Sequence, residues 1–385
     1  MPRLELVSPP RVLFGAGVRA ELADMVRAYG RRPLLVTGRS LQRVRDIQSA
    51  LCAAGLEPVR FGVCGEPEVA TVRQALGLAR QEQCDCVVGV GGGSVLDTAK
   101  AVAGLLRGGG EIEDYLEVVG AGRSLPGPGV PFLALPTTGG TGAEMTRNAV
   151  LAVPERRVKV SLRSPFLVAQ VALVDPELSR SCPPAVTAAA GLDALTQLLE
   201  AWVSTRANFW TDTWCLEGLR RVARSLRTAW ADGQDLSART DMALAGLLSG
   251  LALSNAGLGA VHGLAGPIGG VIAVPHGIVC GALLVPVIAK NLQVLQSRSA
   301  RSGIVERYAQ AARVLTGHAQ ASAADLVPWL SRLVEELRVP KLSAYGLQPA
   351  MIPDLTERAL QSNSMRTNPV ALNAAQLSEI LEAVL

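Results

Sequence analysis

Short apolar runs alternate with amphipathic stretches through the first 175 residues. The clearest runs are Arg11–Phe14, Leu34–Thr37, Cys86–Val90, Phe132–Leu135 and Val171–Val174. Short apolar runs separated by helical patterns are typical of parallel strands that are buried on both faces. The first part of the chain is therefore predicted to be an α/β domain with a parallel sheet.

The pattern changes after residue 174. Residues 175–184 are rich in proline and turn-forming residues, which marks a boundary. Beyond them the apolar positions recur at helical spacing, with no convincing strand. The helical patterns cover Ala185–Trp202, Thr211–Arg227, Ala238–Leu253 and Ser322–Leu337. We predict two domains, an α/β domain over residues 1–180 and an all-α domain over residues 181–385.

Composition removes several classes of protein. The 385 residues are 49% hydrophobic and 18% charged, which argues against disorder. A net charge of +4 over this length forms no basic cluster, so we predict no nucleic-acid partner. The seven cysteines show no disulfide framework and no CxxC motif, which is typical of reduced thiols and predicts a cytoplasmic protein.

The long uncharged segment Met242–Ala289 could suggest a membrane span, which needs about 20 apolar residues. The segment also contains Asn255, His262, Pro267 and His276 among many glycines. Polar groups of this kind would lack partners in lipid. We predict buried helices at the centre of the helical domain, and no membrane association.

A glycine turn follows one of the predicted strands. Gly91, Gly92, Gly93 and Ser94 lie between the run Cys86–Val90 and a helical pattern. Glycines let the backbone approach an anion, and the amides of a helix start point at it. We predict that Gly92, Gly93 and Ser94 bind phosphate, with Ser94 as N-cap or phosphate donor and Asp97 on the first helical turn beside them. The alternative is an ordinary capped turn.

The end of the strand Leu34–Thr37 carries a second cofactor signal. It continues as Gly38, Arg39 and Ser40, without the acid that usually binds the ribose of NAD. Arginine and serine can instead bind a 2′-phosphate. These three residues therefore favour NADP(H) over NAD(H). The G-x-G-x-x-A match at Gly15 is interpreted as a tight turn, because it too lacks its acidic partner.

Two of the three histidines, His262 and His276, fall inside the uncharged segment. A buried imidazole without a partner is costly, so the pair suggests a metal ion. Asp193 lies in an apolar helix, and Gln197 is one turn further along the same face, so both are candidate ligands. Asp193 could instead be a helix cap, and each histidine alone could be a core residue. His318 is predicted to lie at the surface.

These motifs, in this order, resemble the iron-containing alcohol dehydrogenases of the dehydroquinate synthase-like superfamily. The resemblance rests on Gly91–Lys100, Pro136–Glu144, Gly191–Leu195 and Pro275–Gly277, and further matches are Asp175–Leu178, Gly257–His262 and Ser364–Pro369. It implies an NAD(P)-dependent enzyme that acts on a small alcohol or aldehyde as a homodimer or higher oligomer. It places Thr137, Thr138 and Lys159 near the nicotinamide, and a catalytic metal on Asp193, His262 and His276.

The chain departs from the family pattern at two positions. Gln197 stands where a further histidine ligand is usual, and Gly266 replaces a histidine often implicated in proton relay. An amide oxygen is a poorer ligand than imidazole, which leaves an Asp/His/His site with an open position. Such a site resembles the zinc site of glycerol dehydrogenases, so both Fe²⁺ and Zn²⁺ are predicted metals.

The predicted reaction is reversible, metal-assisted hydride transfer between nicotinamide and the alcohol carbon. The main alternative is a metal-independent enzyme that resembles maleylacetate reductase, with Arg147 and Arg366 binding a substrate carboxylate. A lyase reaction like that of dehydroquinate synthase would need a basic pocket, which the uncharged segment does not offer. A binding protein without enzymatic activity is the third alternative, against which the complete motif set argues.

Overall fold

The computed structural model describes residues 4–40, 44–108, 110–297 and 302–385. The chain divides into two compact units, Met1–Ser181 and Cys182–Leu385. Both sheets formed by the described residues lie in the first unit. The predicted fold class, a parallel α/β region followed by a helical region, is confirmed.

The first unit is built on a six-stranded sheet in which all neighbouring strands are parallel. Its strands have the order β1-β8-β5-β4-β2-β3. The central strands β4 and β5 are buried at every position, as a parallel sheet covered on both faces requires. The strands of the unit are β1 Arg11–Phe14, β2 Pro33–Gly38, β3 Val59–Val63, β4 Cys86–Gly91, β5 Phe132–Pro136, β6 Asn148–Val153, β7 Val158–Arg163 and β8 Val171–Val174.

Helices cover both faces of this sheet. They are α1 Leu22–Arg27, α2 Arg45–Ala53, α3 Val69–Gln81, α4 Gly93–Leu105 and the single turn α5 Ile112–Tyr115. One face packs against α1 and α2, through residues such as Leu22 and Leu51. The other face packs against α3 and α4, through residues such as Leu76 and Leu96. The connections after β2 and β4 therefore run to opposite faces.

The sequence pattern predicted five of the six parallel strands and missed three strands of the unit. The sixth parallel strand, β3, forms one edge of the sheet and is only partly buried, so it carries Arg60 and Gly62 within its run. The other two, β6 and β7, pair antiparallel in a separate ribbon from Asn148↔Arg163 to Val153↔Val158. The apolar run of β6 and the alternation of apolar and polar residues in β7 are both strand signals, which the prediction missed.

The second unit is helical throughout its described residues. Its helices are α6 Pro184–Val203, α7 Phe209–Ala231, α8 Leu236–Ala256, α9 Ala260–Val271, α10 His276–Ser297, α11 Ser302–Thr316, α12 Leu326–Glu336, α13 Ile352–Leu360 and α14 Ala374–Glu382. Side-chain caps begin two of the long helices: Asn208 accepts from the Trp210 and Thr211 amides at α7, and Asp235 accepts from the Ala238 amide at α8. The uncharged segment forms most of α8, all of α9 and α10 as far as Ala289.

Helix α10 is long and apolar enough to cross a membrane, and 67% of its most apolar window is buried inside the protein. The helices α8 and α9 also pass this test as a pair, but they meet at a bend of 100°. Burial of this kind is typical of core helices. Leu264 on α9 and Leu283 on α10 belong to the single large core of the unit.

A buried carboxylate joins α7 to α8. Asp241 on α8 accepts hydrogen bonds from Arg221 (2.8 Å), Arg224 (two, both 2.7 Å) and the Ser225 hydroxyl (2.5 Å), all on α7. Burial alone would raise the pKa of Asp241, but the hydrogen bonds from Arg224, Ser225 and Arg221 outweigh it and lower the pKa to about 2. The charged form of Asp241 therefore stabilises the folded unit.

The Asp241→Asn variant is expected to lose roughly 2 kcal/mol of unfolding free energy at pH 7. Because the folded pKa lies below the unfolded one, this contribution is present above about pH 4 and is lost as the pH falls through about 2. Urea unfolding of both proteins at pH 7 and pH 3 measures it. The difference should fall to about half at pH 3; a difference that does not change with pH would show that the Asp241 charge is not its source.

Candidate cofactor and metal sites

Two loops of the first unit meet at the point where the strand order reverses. The strands β2 and β4 are neighbours, with Thr37 opposite Val90, and their following helices pack on opposite faces. Ligands of open parallel sheets bind at such a switch point, beyond the carboxyl ends of the strands. Gly38, Arg39 and Ser40 follow β2 there, with Arg39 and Ser40 exposed.

The glycine turn after β4 lies against the threonine loop after β5. The amide of Thr137 donates to the Gly91 carbonyl at 3.0 Å. A Cβ built on Gly92 would meet Thr138 at 3.4 Å, and one built on Gly93 would meet Thr141 at 2.8 Å. Larger residues would therefore fill the space between these loops. The turn offers the first amides of α4 to an anion, so the unit fits a dinucleotide phosphate at this point.

The prediction that Ser94 caps α4 is wrong. The helix begins two residues earlier than this prediction requires, at Gly93, and its N-cap is Gly92 in an extended conformation. Asp97 consequently lies on the second turn, not the first. Its carboxylate accepts from the Val150 amide at 3.0 Å and lies 3.5 Å from Lys100 Nζ. A cofactor contact of Asp97 stays a prediction.

Lys100 is buried, with 1% of its surface exposed. Its three ammonium hydrogens have three acceptors: the Ala143 carbonyl (2.7 Å), the Thr146 hydroxyl (2.6 Å) and the Asn148 carbonyl (2.8 Å). Burial lowers the pKa of Lys100, and the carboxylates of Asp97 and Glu144 act against it. Lys100 thus holds the end of the threonine loop to α4.

Two other sequence features of the first unit, Lys159 and the turn at Gly15, contact carboxylates of the same unit. Lys159 on β7 lies 3.1 Å from Glu66, and its nicotinamide role stays a prediction. The turn at Gly15 is a tight turn, with φ of 80° at Gly17. The amides of Gly17 and Arg19 donate to the Asp175 carboxylate at 3.1 and 3.3 Å. That turn therefore binds an internal carboxylate, not a phosphate.

The second unit brings together four side chains whose chemistry suits a metal ion. Asp193 on α6, His262 on α9, and His276 and Cys280 on α10 have their ligand atoms within 4.8 Å of one another. Asp193 Oδ1 lies 3.3 Å from His262 Nε2 and 3.8 Å from His276 Nε2. Asp193 is buried in the middle of α6, so it is not a helix cap. The His276 side chain is 36% exposed, which makes it the open side of the cluster.

Glu200 orients His262 through the ring nitrogen that does not face Asp193. Its Oε2 accepts from His262 Nδ1 at 2.7 Å, and its Oε1 accepts from the Val261 amide at the start of α9 at 2.6 Å. A hydrogen bond at Nδ1 fixes the tautomer and leaves the Nε2 lone pair free for a metal. Sequence reasoning missed Glu200, although it lies two helical turns beyond Asp193 on the same face of α6.

The ionisable groups of the cluster shift one another's pKa values. Burial alone would raise the pKa of Asp193, but the imidazoles of His276 and His262 outweigh it and lower the pKa. Burial alone would lower the pKa of His262, but the Cys280 sulfur and the carboxylates of Asp193 and Glu200 outweigh it and raise the pKa well above its ordinary value. A site that stabilises a carboxylate among imidazoles fits a divalent cation in chemistry as well as in distance.

Asn368, in the C-terminal motif Ser364–Pro369, also contacts the start of α9. Asn368 accepts from the Ala260 amide at 3.1 Å, and its own amide donates to Asn291 on α10 at 2.9 Å. A Cβ on Gly259 would come within 2.8 Å of both Asn368 and Glu200. Glycine at 259 therefore lets both side chains reach the first amides of α9, and His262 follows directly.

The structure also places the other residues that the sequence analysis named. The amide oxygen of Gln197 accepts from the Ser249 hydroxyl at 2.7 Å, and its role as a ligand stays a prediction. In the part of the chain that the structure describes, no atom lies within 4 Å of a Cβ built on Gly266, one turn beyond His262. Arg147 is half-buried, and Arg366 and His318 are exposed.

Comparisons with known proteins agree along the whole chain. A profile of the family described as "Iron-containing alcohol dehydrogenase" matches residues 9–176, and one described as "Fe-containing alcohol dehydrogenase family, C-terminal" matches residues 187–385. Long-chain-alcohol dehydrogenase 1 of Geobacillus thermodenitrificans (strain NG80-2) is 36% identical over 390 residues, which cover 98% of this chain and 96% of that protein.

Two further relatives show the same likeness. The NAD-dependent methanol dehydrogenase of Bacillus methanolicus is 32% identical over 389 residues, 98% of each protein. A crystal structure of 1,3-propanediol oxidoreductase matches this chain with a TM-score of 0.92 and 32% identity, covering both chains completely.

Enzymes of this family use NAD(H) and a divalent metal. The maleylacetate reductase-like alternative is not favoured, since the relatives are alcohol dehydrogenases. The chain therefore belongs to the iron-containing alcohol dehydrogenase family, and it is an oxidoreductase that acts on CH–OH groups.

Proposed function

We propose that this enzyme transfers hydride reversibly between a small alcohol and NADP⁺, with a divalent Fe²⁺ or Zn²⁺ ion held by Asp193, His262 and His276. The observation that carries the proposal is the gathering of these three side chains, from three helices, with their ligand atoms within 4.8 Å. One carboxylate and two imidazoles suit either metal.

A metal ion held by Asp193, His262 and His276 would supply Lewis acidity toward the substrate oxygen, and a bound nicotinamide would supply the hydride donor or acceptor. The protein contributes position and exclusion of water. Glu200 holds His262 in one orientation, and the buried faces of α6, α9 and α10 close the cluster behind Asp193. The exposed side of His276 is the direction from which a substrate can approach. Because Gly266 supplies no imidazole, the alcohol proton passes to water or to a hydroxyl group.

A spectrophotometric assay tests the reaction. The purified protein is given NADPH or NADH with a panel of small aldehydes and ketones, and the reverse reaction is followed with the matching alcohols. We expect coenzyme-dependent absorbance changes in both directions, with higher kcat/KM for NADPH. No turnover of any member of the panel with either coenzyme would contradict the proposed reaction.

The coenzyme preference rests on Gly38. A Cβ at this position meets nothing within 4 Å among the described residues, so the Gly38→Asp variant is expected to fold normally. Its carboxylate would repel a 2′-phosphate and accept from a ribose hydroxyl. We expect kcat/KM for NADPH to fall by roughly tenfold or more, the equivalent of about 1.4 kcal/mol, and the value for NADH to hold or rise. The matched control is Gly77→Asp on the exposed face of α3, where the preference should not change.

Glu200 is proposed as a positioning residue. The Glu200→Gln variant keeps the side-chain volume but weakens the hydrogen bond that orients His262. We expect metal affinity to fall by about 10- to 100-fold, as for other partners of ligating histidines. A competition titration with a chromogenic chelator measures it, with Glu336→Gln on exposed α12 as the control. Unchanged affinity would show that Glu200 serves only to cap α9.

The proposal also includes a homodimer or higher oligomer located in the cytoplasm. Leu4, Leu6, Val12 and Phe166 are large apolar side chains with more than a third of their surface exposed, which supports burial between copies in a homodimer or higher oligomer. The seven cysteines are free thiols, which supports the cytoplasm as the location. Light scattering of the purified enzyme measures the oligomeric state directly.

A further inference from the structure

We propose that Cys280 is the fourth protein ligand of the metal, as a thiolate, and that the site is therefore selective for a thiophilic cation such as Zn²⁺. This inference rests on the metal site of the proposed function and specifies its ligand set. Neither the family resemblance nor the sequence patterns pointed to Cys280.

The distances in the cluster carry the inference. Cys280 Sγ lies 3.7 Å from His262 Nε2 and 3.5 Å from His276 Nε2. Metal bonds of about 2.3 Å to sulfur and about 2.0–2.1 Å to nitrogen and oxygen, at tetrahedral angles, put sulfur and nitrogen about 3.6 Å apart and nitrogen and oxygen about 3.3 Å apart. The two sulfur distances and the 3.3 Å between His262 Nε2 and Asp193 Oδ1 are close to these values, and the 3.8 Å between His276 Nε2 and Asp193 Oδ1 is longer.

The backbone explains how the thiol reaches this place. Cys280 lies four residues beyond His276, so both side chains project from the same face of α10. The cysteine is completely buried. A Cβ on the next residue, Gly281, would come within 2.8 Å of Leu192, the neighbour of Asp193 on α6. This close approach of α10 to α6 brings the sulfur to the carboxylate.

The other buried cysteines of the chain have a different environment. Burial raises the pKa of the Cys84 thiol to about 11 and that of the Cys215 thiol further still, as expected for inert packing residues. Only Cys280, among the described cysteines, shares a metal-ligand cluster with histidine and aspartate. Gln197, the ligand predicted from the sequence, already accepts from Ser249.

A thiolate changes the chemistry of the site. Binding of M²⁺ by Cys280 releases its thiol proton to solvent, and the thiolate electron pair forms the metal–sulfur bond. The negative charges of Asp193 and Cys280 would then balance the dication, and the substrate oxygen would bind as a fifth ligand from the exposed side of His276. Soft thiolate donors favour zinc over cations that prefer oxygen ligands, such as Mn²⁺ and Mg²⁺.

Cobalt substitution tests the ligand directly, without relying on activity. The full-length enzyme is stripped with a chelator, titrated with Co²⁺ and followed by absorption spectroscopy and by proton release in weak buffer. We expect stoichiometric Co²⁺ uptake with a sulfur-to-cobalt charge-transfer band in the near ultraviolet. The Cys280→Ser variant should bind Co²⁺ without that band, release about one proton fewer, and bind Zn²⁺ at least tenfold more weakly.

Two variants serve as comparisons. Cys215→Ser removes another fully buried cysteine, on α7, and should keep the band. Gln197→Ala should also keep it. Co²⁺ bound by the wild type without a charge-transfer band would overturn the Cys280 assignment and leave the three-ligand site standing. Failure of the wild type to bind Co²⁺ or Zn²⁺ at all would overturn the metal site of the proposed function as well. The wild-type spectrum decides the question even if Cys280→Ser does not fold.

Discussion

Replacing Asp193 with asparagine is expected to lower kcat by roughly a thousandfold and to abolish stable metal binding. The variant keeps the size of the side chain and removes its charge. A metal supplies several kcal/mol of transition-state stabilisation in such reactions, and about 4 kcal/mol corresponds to a factor of about a thousand in rate. Asp193 is the one carboxylate among the four cluster residues, so its charge is central to holding the cation.

The measurement pairs kcat with metal content by mass spectrometry. Asp241→Asn is the matched control, because Asp241 is also a buried and charge-paired aspartate of the second unit but lies outside the cluster. The control should be less stable but should retain metal and turnover. Near-normal activity of Asp193→Asn, or equal metal loss in both variants, would contradict the assigned role of Asp193.

The second large effect is expected at Lys100. The Lys100→Met variant keeps the apolar stem but removes three hydrogen bonds to the Ala143 carbonyl, the Thr146 hydroxyl and the Asn148 carbonyl. The buried acceptors lose their charged donor, and Asp97 loses its counter-charge. Removal of one partner of a buried ion pair lowers the free energy of unfolding by about 3–5 kcal/mol. The threonine loop should also loosen, so KM for the coenzyme should rise.

Unfolding by urea and coenzyme titration measure the two consequences of the Lys100 change. Lys100→Arg should not restore stability, because a planar guanidinium does not fit three acceptors arranged around a compact ammonium. Lys290→Met is the control, since Lys290 is paired at the surface with Glu379, where an ion pair contributes less than about 1 kcal/mol. If Lys100→Met loses no more unfolding free energy than Lys290→Met, the structural role of Lys100 is contradicted.

The parallel sheet could be predicted because its central strands are buried on both faces and are therefore continuous apolar runs. Val59–Val63 and Val158–Arg163 lack that signal, because polar residues or glycine interrupt their apolar runs. Val59–Val63 lies at the sheet edge, where exposed positions alternate with partly buried ones. The strand Asn148–Val153 is mostly apolar but lies outside the six-stranded sheet. β3 pairs with β2, from which a helix separates it, whereas β6 and β7 pair with each other across a four-residue connection.

The site was predictable where burial makes a residue type costly. His262, His276 and Asp193 stood out because polar side chains were set in apolar surroundings. Cys280 did not, because cysteine is common in protein cores and its sequence neighbours are apolar. Glu200 was overlooked because an acid near the end of a helix is ordinary. Their spacings, four residues from His276 and seven from Asp193, were available signals of a shared face.

The central claim is that turnover depends on a metal held in the helical unit. The most direct measurement is metal analysis of the purified enzyme, followed by NADPH oxidation before chelation, after chelation and after re-addition of Zn²⁺ or Fe²⁺. We predict close to one metal ion per chain, loss of turnover on chelation and recovery with one of the two ions. Full turnover by metal-free enzyme would contradict the account.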